Sequence, residues 1–411
     1  MGIAILTRES RGLEYVLPIA GSLGAAFFVY AVLRVILNID DFQWDLTAYY
    51  YGAEAFHRDA NLYNRSVLQA LGGKSVQYFV YPPLLLYPLQ FLRAFAYQSV
   101  SYGWLVLKLV AVLLLWQTWR THFVSKENSV LLLFVSTLGL NSTLVADINA
   151  GNISVFEQLV LWGAFSVLLQ GRVMLFALIL AVLAQVKLMP ILFAFLPLVL
   201  TERRDWSAVA LTLVAAIVIF SLNFLLQPEL TYEFFRRASA LYQRAPYNIS
   251  ALAFIKDLAT WLAVPEGGSG NTVANIVFLL WLVILGCLSL WVTERYRHHA
   301  PAPDSRLLIC FYCIVYALMV PRLMNYSCIL LIVPIVYLMI KLQARALRTA
   351  AYSLLVLSCN YVTDILSIDR GYSFMPLVAV LGFWVLYMIH MLSCSERTDT
   401  SAIRQHGAQT T

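Results

Sequence analysis

The stretch "NIDDFQWDLTAYYYGAEAF", residues 38–56, decides how this chain is read. It follows an apolar run, residues 15–37, long enough to cross a bilayer, which takes about 20 residues. Asp40, Asp41 and Asp45 then appear together among aromatic residues. Carboxylates are costly near hydrocarbon, so a cluster at the end of a span requires a reason.

The whole chain explains why they stand out. Of 411 residues, 61% are hydrophobic and 12% charged, and the mean hydropathy is +0.75. Soluble domains run at about 45–50% apolar and about 25% charged. The chain therefore reads as an all-α polytopic membrane protein. Its 23 tyrosines and 10 tryptophans suit interfacial belts. A net charge of +6 is no nucleic-acid signal here, because basic residues in such a protein set orientation. Cys310 and Cys313 form C-x-x-C inside an apolar run with no second pair, so they read as packing thiols, as do Cys287, Cys328, Cys359 and Cys394. Arg8 and Arg11 precede a full-length span without a small-residue cleavage site, so no cleaved signal peptide is expected.

About twelve candidate spans emerge at that length: 15–37, 82–97, 102–119, 128–146, 152–170, 173–200, 206–227, 273–293, 307–320, 326–342, 347–366 and 373–393. Segment 82–97 is short, and 173–200 is interrupted by Lys187 and Pro190. Two connections, 38–81 and 228–272, are too long to be turns and contain amphipathic pieces suited to a membrane surface. The basic loops "TERRDW" (201–206), "ERYRHH" (294–299) and "KLQARALR" (341–348) mark the cytoplasmic side and leave both long connections outside. This count sets "DINAGN" (147–152) at the cytoplasmic face; if 82–97 only lies on the membrane, that placement reverses. Residues 1–396 are read as one membrane domain and 397–411 as a disordered cytoplasmic tail.

Few residues carry candidate chemistry. Lys187 lies in an apolar run beside Pro190; it either snorkels at a helix break or binds an anionic group. Lys108 is open to the same two readings, and Glu157 can pair with either lysine. Asp45 is either an N-cap of the following helix or a base, since a carboxylate partly withdrawn from water gains basicity. Arg322 in "VPRLMNYS" (320–327) is an interfacial anchor or a bidentate phosphate ligand. No G-x-S-x-G, H-E-x-x-H, P-loop or zinc spacing occurs, so hydrolytic triads and nucleotide hydrolysis have no support.

These stretches together resemble the polyprenyl-phosphate-dependent glycosyltransferases of the GT-C fold, most closely glycosyltransferase family 87. "DLTAYYYGAEAFHRDANLYN" has the family's Asp, aromatic pair and Leu-Tyr after the first helix. "YPPLLLYPL" (81–89), "AGNISVFEQLVL", "QVKLMPILF" and "YNISALAFI" (247–255) follow in the family's order. Asn152 stands where Gln is commoner, and "PRLMNYSCILLIVP" lacks the histidine of some members, so no histidine role carries over.

The resemblance implies a GT-C glycosyltransferase with two long extracytoplasmic loops bearing surface helices, in a bacterial cytoplasmic membrane. It implies a polyprenyl-phosphate sugar donor, with mannose the family's common case, a glycolipid or polysaccharide acceptor, and contact with membrane lipid. It implies inversion at the anomeric carbon, with Asp45 as base and Asp41 in reserve. Arg322, Lys187, Tyr81, Asn152, Asn248 and Tyr49 become substrate-binding candidates, with no cofactor or metal and no nucleic acid. Two other readings stay open: an envelope polysaccharide polymerase or ligase, favoured by "FFRRASALYQRAP" (234–246), and a transporter, whose paired broken helices are absent here.

Overall fold

The computed structural model describes residues 3–73, 76–201, 204–239, 248–262, 268–300, 302–359 and 374–409; for 3–17, 239, 268–271 and 396–409 it describes the backbone alone. The described residues form two compact units. One comprises Met1–Leu138, Ser142–Ala194 and Trp206–Leu241, and the other Gly139–Asn141, Phe195–Asp205 and Tyr242–Thr411.

The first unit contains α1 (Ile3–Leu37), α2 (Trp44–His57), α3 (Arg65–Gly72), α4 (Leu86–Leu89), α5 (Tyr97–His122), α6 (Ser129–Leu138), α7 (Thr143–Ala150), α8 (Ser154–Leu169) and α9 (Val173–Leu183). The short α10 (Leu196–Leu200) belongs to the second unit; α11 (Trp206–Leu226) and α12 (Pro228–Ser239) return to the first. The second unit continues with α13 (Ala251–Trp261), α14 (Gly268–His299), α15 (Ser305–Met319), α16 (Ile332–Lys341), α17 (Arg345–Leu357) and α18 (Met375–Gln409). The backbone of α18 stays helical through the segment read as a tail, which no proline interrupts.

Among the described residues, five helices are long and apolar enough to cross a membrane, and α6 with α7 makes a sixth if the pair, bent by 56°, is one span. The protein is thus a multi-pass membrane protein. Exposed Val214, Ile217, Val218 and Leu225 on α11 and Leu279, Leu280, Val283 and Ile284 on α14 give these helices the lipid-facing surface that water would disfavour. Five shorter apolar helical stretches, including Ser154–Leu169 and Ser305–Met319, accompany them.

Segment 82–97 is not a span. Pro82, Pro83 and Pro88 divide it into a 3-10 turn, the single-turn α4 and a second 3-10 stretch over Gln90–Ala94. Proline removes a backbone donor and blocks the preceding turn, so no continuous helix forms there. Its backbone is held instead by Asn223 of α11, whose Oδ1 accepts from Leu84 N at 2.8 Å. Segment 128–146 is likewise broken, at left-handed Leu140, Asn141 and Ser142. Segment 173–200 ends its helix at Leu183 and resumes as a 3-10 stretch over Met189–Phe195, so Lys187 does lie at a break.

In the first unit, α1 lies close along α6. A Cβ on Gly21 would come within 2.6 Å of Val130 Cγ1, and one on Gly24 would collide with Thr137. Small residues permit such approach between apolar helices. The first loop does not simply rest on a surface. One face of α2, carrying Leu46, Tyr49 and Ala53, is buried against Phe79, Tyr81 and Leu86. In the second unit, α15 and α16 are almost wholly buried. Asp304 caps α15 and also accepts from Tyr337 Oη at 2.5 Å and Lys341 Nζ at 3.0 Å. Cys310, Cys313, Cys328 and Cys359 are buried without a disulfide, as packing thiols should be, whereas Cys287 is exposed and Cys394 half-buried.

Candidate active site

The carboxylates of the first loop do not act as a group. Asp40 and Asp41 sit exposed in a 3-10 turn, Ile39–Asp41. Asp45 is half-buried in the first turn of α2. It is not the N-cap: that position belongs to Gln43, in a left-handed conformation with φ 57°. Gln43 is buried because its backbone N–H donates to Asn149 O at 2.6 Å and its Nε2 to Ser101 O at 3.0 Å. The cap is thereby fastened to α7 and α5 at once, and Asp45 starts its helix from a fixed base.

What Asp45 faces is the turn between α7 and α8, Gly151–Ser154. Asn152 Nδ2 donates to Asp45 Oδ2 at 2.7 Å. Asn152 Oδ1 accepts from Ser154 N at 3.0 Å and Ser154 Oγ at 2.8 Å, which fixes the amide so that its nitrogen points at the carboxylate. Ile153 N donates to Tyr49 Oη at 3.3 Å, and Tyr49 Oη lies 2.9 Å from Tyr81 Oη. Asp45 and Tyr49 are one helical turn apart, so α2 presents both to the turn from the same face.

A second helix grips the turn from elsewhere. Trp104 Nε1 of α5 donates to Gly151 O at 2.9 Å, and Lys108 Nζ donates to Asn152 O at 2.9 Å. These residues are also four apart. Gly151 has φ +68°, and a Cβ there would sit 2.8 Å from Gln43 Cβ, so only glycine lets the turn close on the cap.

Two lysines complete the network. Lys108, fully buried, pairs with fully buried Asp147 Oδ2 at 2.6 Å. Lys187 pairs with Glu157 Oε2 at 2.5 Å and donates to Ser154 Oγ at 2.8 Å. Glu157 therefore takes Lys187, and Asp147 takes Lys108. Asp45 and the 147–152 segment must share one end of the helices, so the twelve-span count, which set "DINAGN" on the opposite face from the first loop, does not hold. The cause is the proline-broken 82–97 segment, which does not cross.

Of the residues singled out in the sequence, Asp45, Tyr49, Tyr81, Asn152 and Lys187 are thus joined in the first unit. Tyr81 is buried, with Tyr63 Oη donating to its carbonyl at 2.6 Å, and desolvation raises its phenol pKa. Asn248 and Arg322 lie in the second unit, on two segments that bond to each other. Asn248 pairs with Met324 in an antiparallel bridge, its Oδ1 accepts from Leu323 N at 2.9 Å, and Ser250 Oγ donates to Pro321 O at 2.7 Å. Arg322 is half-buried in the irregular segment just before the bridge. Residues 240–246 of the arginine-bearing stretch 234–246 lie outside the described residues.

The arrangement is one carboxylate aimed by a neutral amide, beside two neutralised acid–base pairs and a tyrosine pair. It can accept a proton from a hydroxyl and offers ammonium charge nearby. No curated protein matches the chain. The sequence profile of glycosyltransferase family 87 matches residues 79–321, which contain Tyr81, Asn152, Lys187 and Asn248; Asp45 lies upstream of the match and Arg322 one residue past it. The match covers more than half of the chain, and the protein belongs to glycosyltransferase family 87.

Proposed function

We propose that this membrane glycosyltransferase moves a hexose, mannose in the first instance, from a polyprenyl-phosphate donor to a hydroxyl of a glycolipid or polysaccharide acceptor. The observation that carries the reading is the Asn152–Asp45 hydrogen bond of 2.7 Å. An amide donor held by its own turn aims the carboxylate in a fixed direction, as a base acting on a bound hydroxyl requires. Asp45 is therefore the base and exposed Asp41 its reserve.

In the step, Asp45 takes the acceptor hydroxyl proton as that oxygen attacks the anomeric carbon. The bond from that carbon to the phosphate oxygen breaks on the opposite face, and polyprenyl phosphate leaves with the electron pair. The configuration inverts. Lys187 and Arg322 are the proposed cations for the lipid phosphate; Lys187 does so while sharing its charge with Glu157. Tyr49, Tyr81, Asn152 and Asn248 complete the proposed substrate-binding set. The reading sets the reaction at the extracytoplasmic face of a bacterial cytoplasmic membrane, where an undecorated lipid-linked sugar needs no nucleotide, and requires neither metal nor cofactor.

The test is a transfer assay with purified protein in lipid, radiolabelled polyprenyl-phosphate mannose and a membrane-lipid extract. Label should pass to a new product with wild type and fall to background with Asp45→Asn. Equal transfer by both would remove Asp45 from the role of base.

A further inference from the structure

Three residues upstream of Tyr81 the chain carries Tyr78, whose neighbour Phe79 is buried in the core while its own ring remains 37% exposed. Two arginines from distant parts of the chain converge on that ring. Arg65, the first residue of α3, places its guanidinium carbon 4.7 Å from the ring centroid, and Arg237 of α12 places its own at 3.7 Å. Hydrogen bonding from Arg65, then from Arg237, holds the phenol below its usual pKa. Both Nε atoms are sealed from solvent without an acceptor, and neither guanidinium forms an ion pair among the described residues. A neighbour of the same type behaves differently: Arg236 is exposed and bonded to Glu233 at 2.6 Å.

Two cations drawn to one ring repel each other, and the cation–π contact returns only about 0.5–2 kcal/mol for each. The arrangement is complete when an anion lies across both forks. Its depth in the membrane limits which anion. Helix α12 begins directly after the span α11, with Gln227 between them. It folds back so that Phe235 stacks on Phe224 at 5.9 Å and meets Phe220 at 5.8 Å, near the end of that span. Tyr232 and Phe235 leave exposed aromatic surface on the same helix. Such an amphipathic helix lies at the level of the lipid headgroups. The anion abundant at that level is a phosphate ester, and guanidinium forks match its oxygens in pairs.

We propose that Arg65 and Arg237, spaced by Tyr78, form a clamp for the phosphate ester of a membrane lipid. The clamp is built from α3, α12 and the segment before α4, and none of its three side chains takes part in the Asp45 network. Binding is read without sugar transfer, so failure of the Asp45 assignment leaves it untouched.

The experiment uses the full chain in detergent micelles and three probes: farnesyl phosphate, short-chain phosphatidylglycerol and short-chain phosphatidylcholine. Binding is followed by thermal shift in wild type, Arg65→Gln, Arg237→Gln, the double variant and Arg236→Gln. At least one anionic probe should bind and outdo phosphatidylcholine, each single change should weaken it about tenfold, the loss of one charged contact, and Arg236→Gln should not. Tighter binding of farnesyl phosphate would identify the isoprenyl lipid as the source, and tighter phosphatidylglycerol the bulk bilayer. If the variants do not fold, phenylglyoxal labelling of wild type replaces them: the anionic probe should protect Arg65 and Arg237 while Arg236 stays reactive. No binding of either anion, undiminished binding by the double variant, or equal protection of Arg236 would each overturn the clamp.

Discussion

Asn152 Nδ2 reaches Asp45 Oδ2 at 2.7 Å from a turn that Tyr49 of α2, Trp104 and Lys108 of α5 and Lys187 also hold by hydrogen bonds. Aim, rather than charge, is what Asn152 gives Asp45. Asn152→Ala should leave the carboxylate in place but free to rotate, with transfer falling about a hundredfold, the usual cost of misplacing a reacting group by an ångström. Asn152→Asp adds a second negative charge beside Asp45, and like charge raises a carboxyl pKa. Because a base works only deprotonated, the rising limb of the rate profile should move to higher pH. An unshifted profile would mean that the limb belongs to another group.

Lys108 and Asp147 are both fully buried, and each is tolerable only because of the other. Lys108→Met alone should destabilise the protein by about 3–5 kcal/mol, the cost of orphaning a buried charge. Lys108→Met with Asp147→Leu should recover most of that in thermal unfolding, yet not the activity, since the ammonium also holds Asn152 O. Additive losses in the double variant would contradict the pairing.

Gly151→Ala offers a test of the cap. The new methyl would enter the space of Gln43 at a backbone angle that L-residues avoid. Strain of that kind costs about 1–3 kcal/mol before any clash. A lowered melting temperature together with lost transfer is expected, and Gln43→Gly, which removes the side chain in the way, should partly restore both.

Glu54 ties α2 to the broken segment through Arg93 at 2.9 Å and holds Arg58 at 2.6 Å. Hydrogen bonds from Arg93 and then Arg58 keep its carboxyl below the usual range. A lowered folded-state pKa contributes stability above the unfolded value, about 4.3, and that contribution fades as pH falls through the folded one. Wild type should therefore melt above Glu54→Gln at pH 7, and the gap should close well below pH 4. A gap independent of pH would assign the effect to packing.

The sequence made the membrane class plain, through composition, and it singled out five residues that the first unit joins. What it left open was pairing. Glu157 had two lysines within reach along the chain, and only the packing of α8 against the turn after α9 selects Lys187. Trp104 and Gln43 passed unnoticed because a tryptophan reads as interfacial and a neutral glutamine carries no charge signal. The available clue was the four-residue spacing of Trp104 with Lys108 and of Asp45 with Tyr49. The failure of 82–97 to span was written in its prolines, whereas the break at Leu140–Ser142 is announced only by Gly139 and by Asn141, a residue that tolerates the left-handed conformation.

The Asp45–Asn152 bond joins residues 107 positions apart. At roughly 5–20 residues per second of synthesis, Asp45 leaves the ribosome about 5–20 s before its partner does. Through that interval α2 has no turn to dock on, and the nascent chain cannot yet hold the proposed base in place. Maturation of the site is thus timed by the arrival of α8 in the bilayer, and a chain arrested before that point would be inserted and inert.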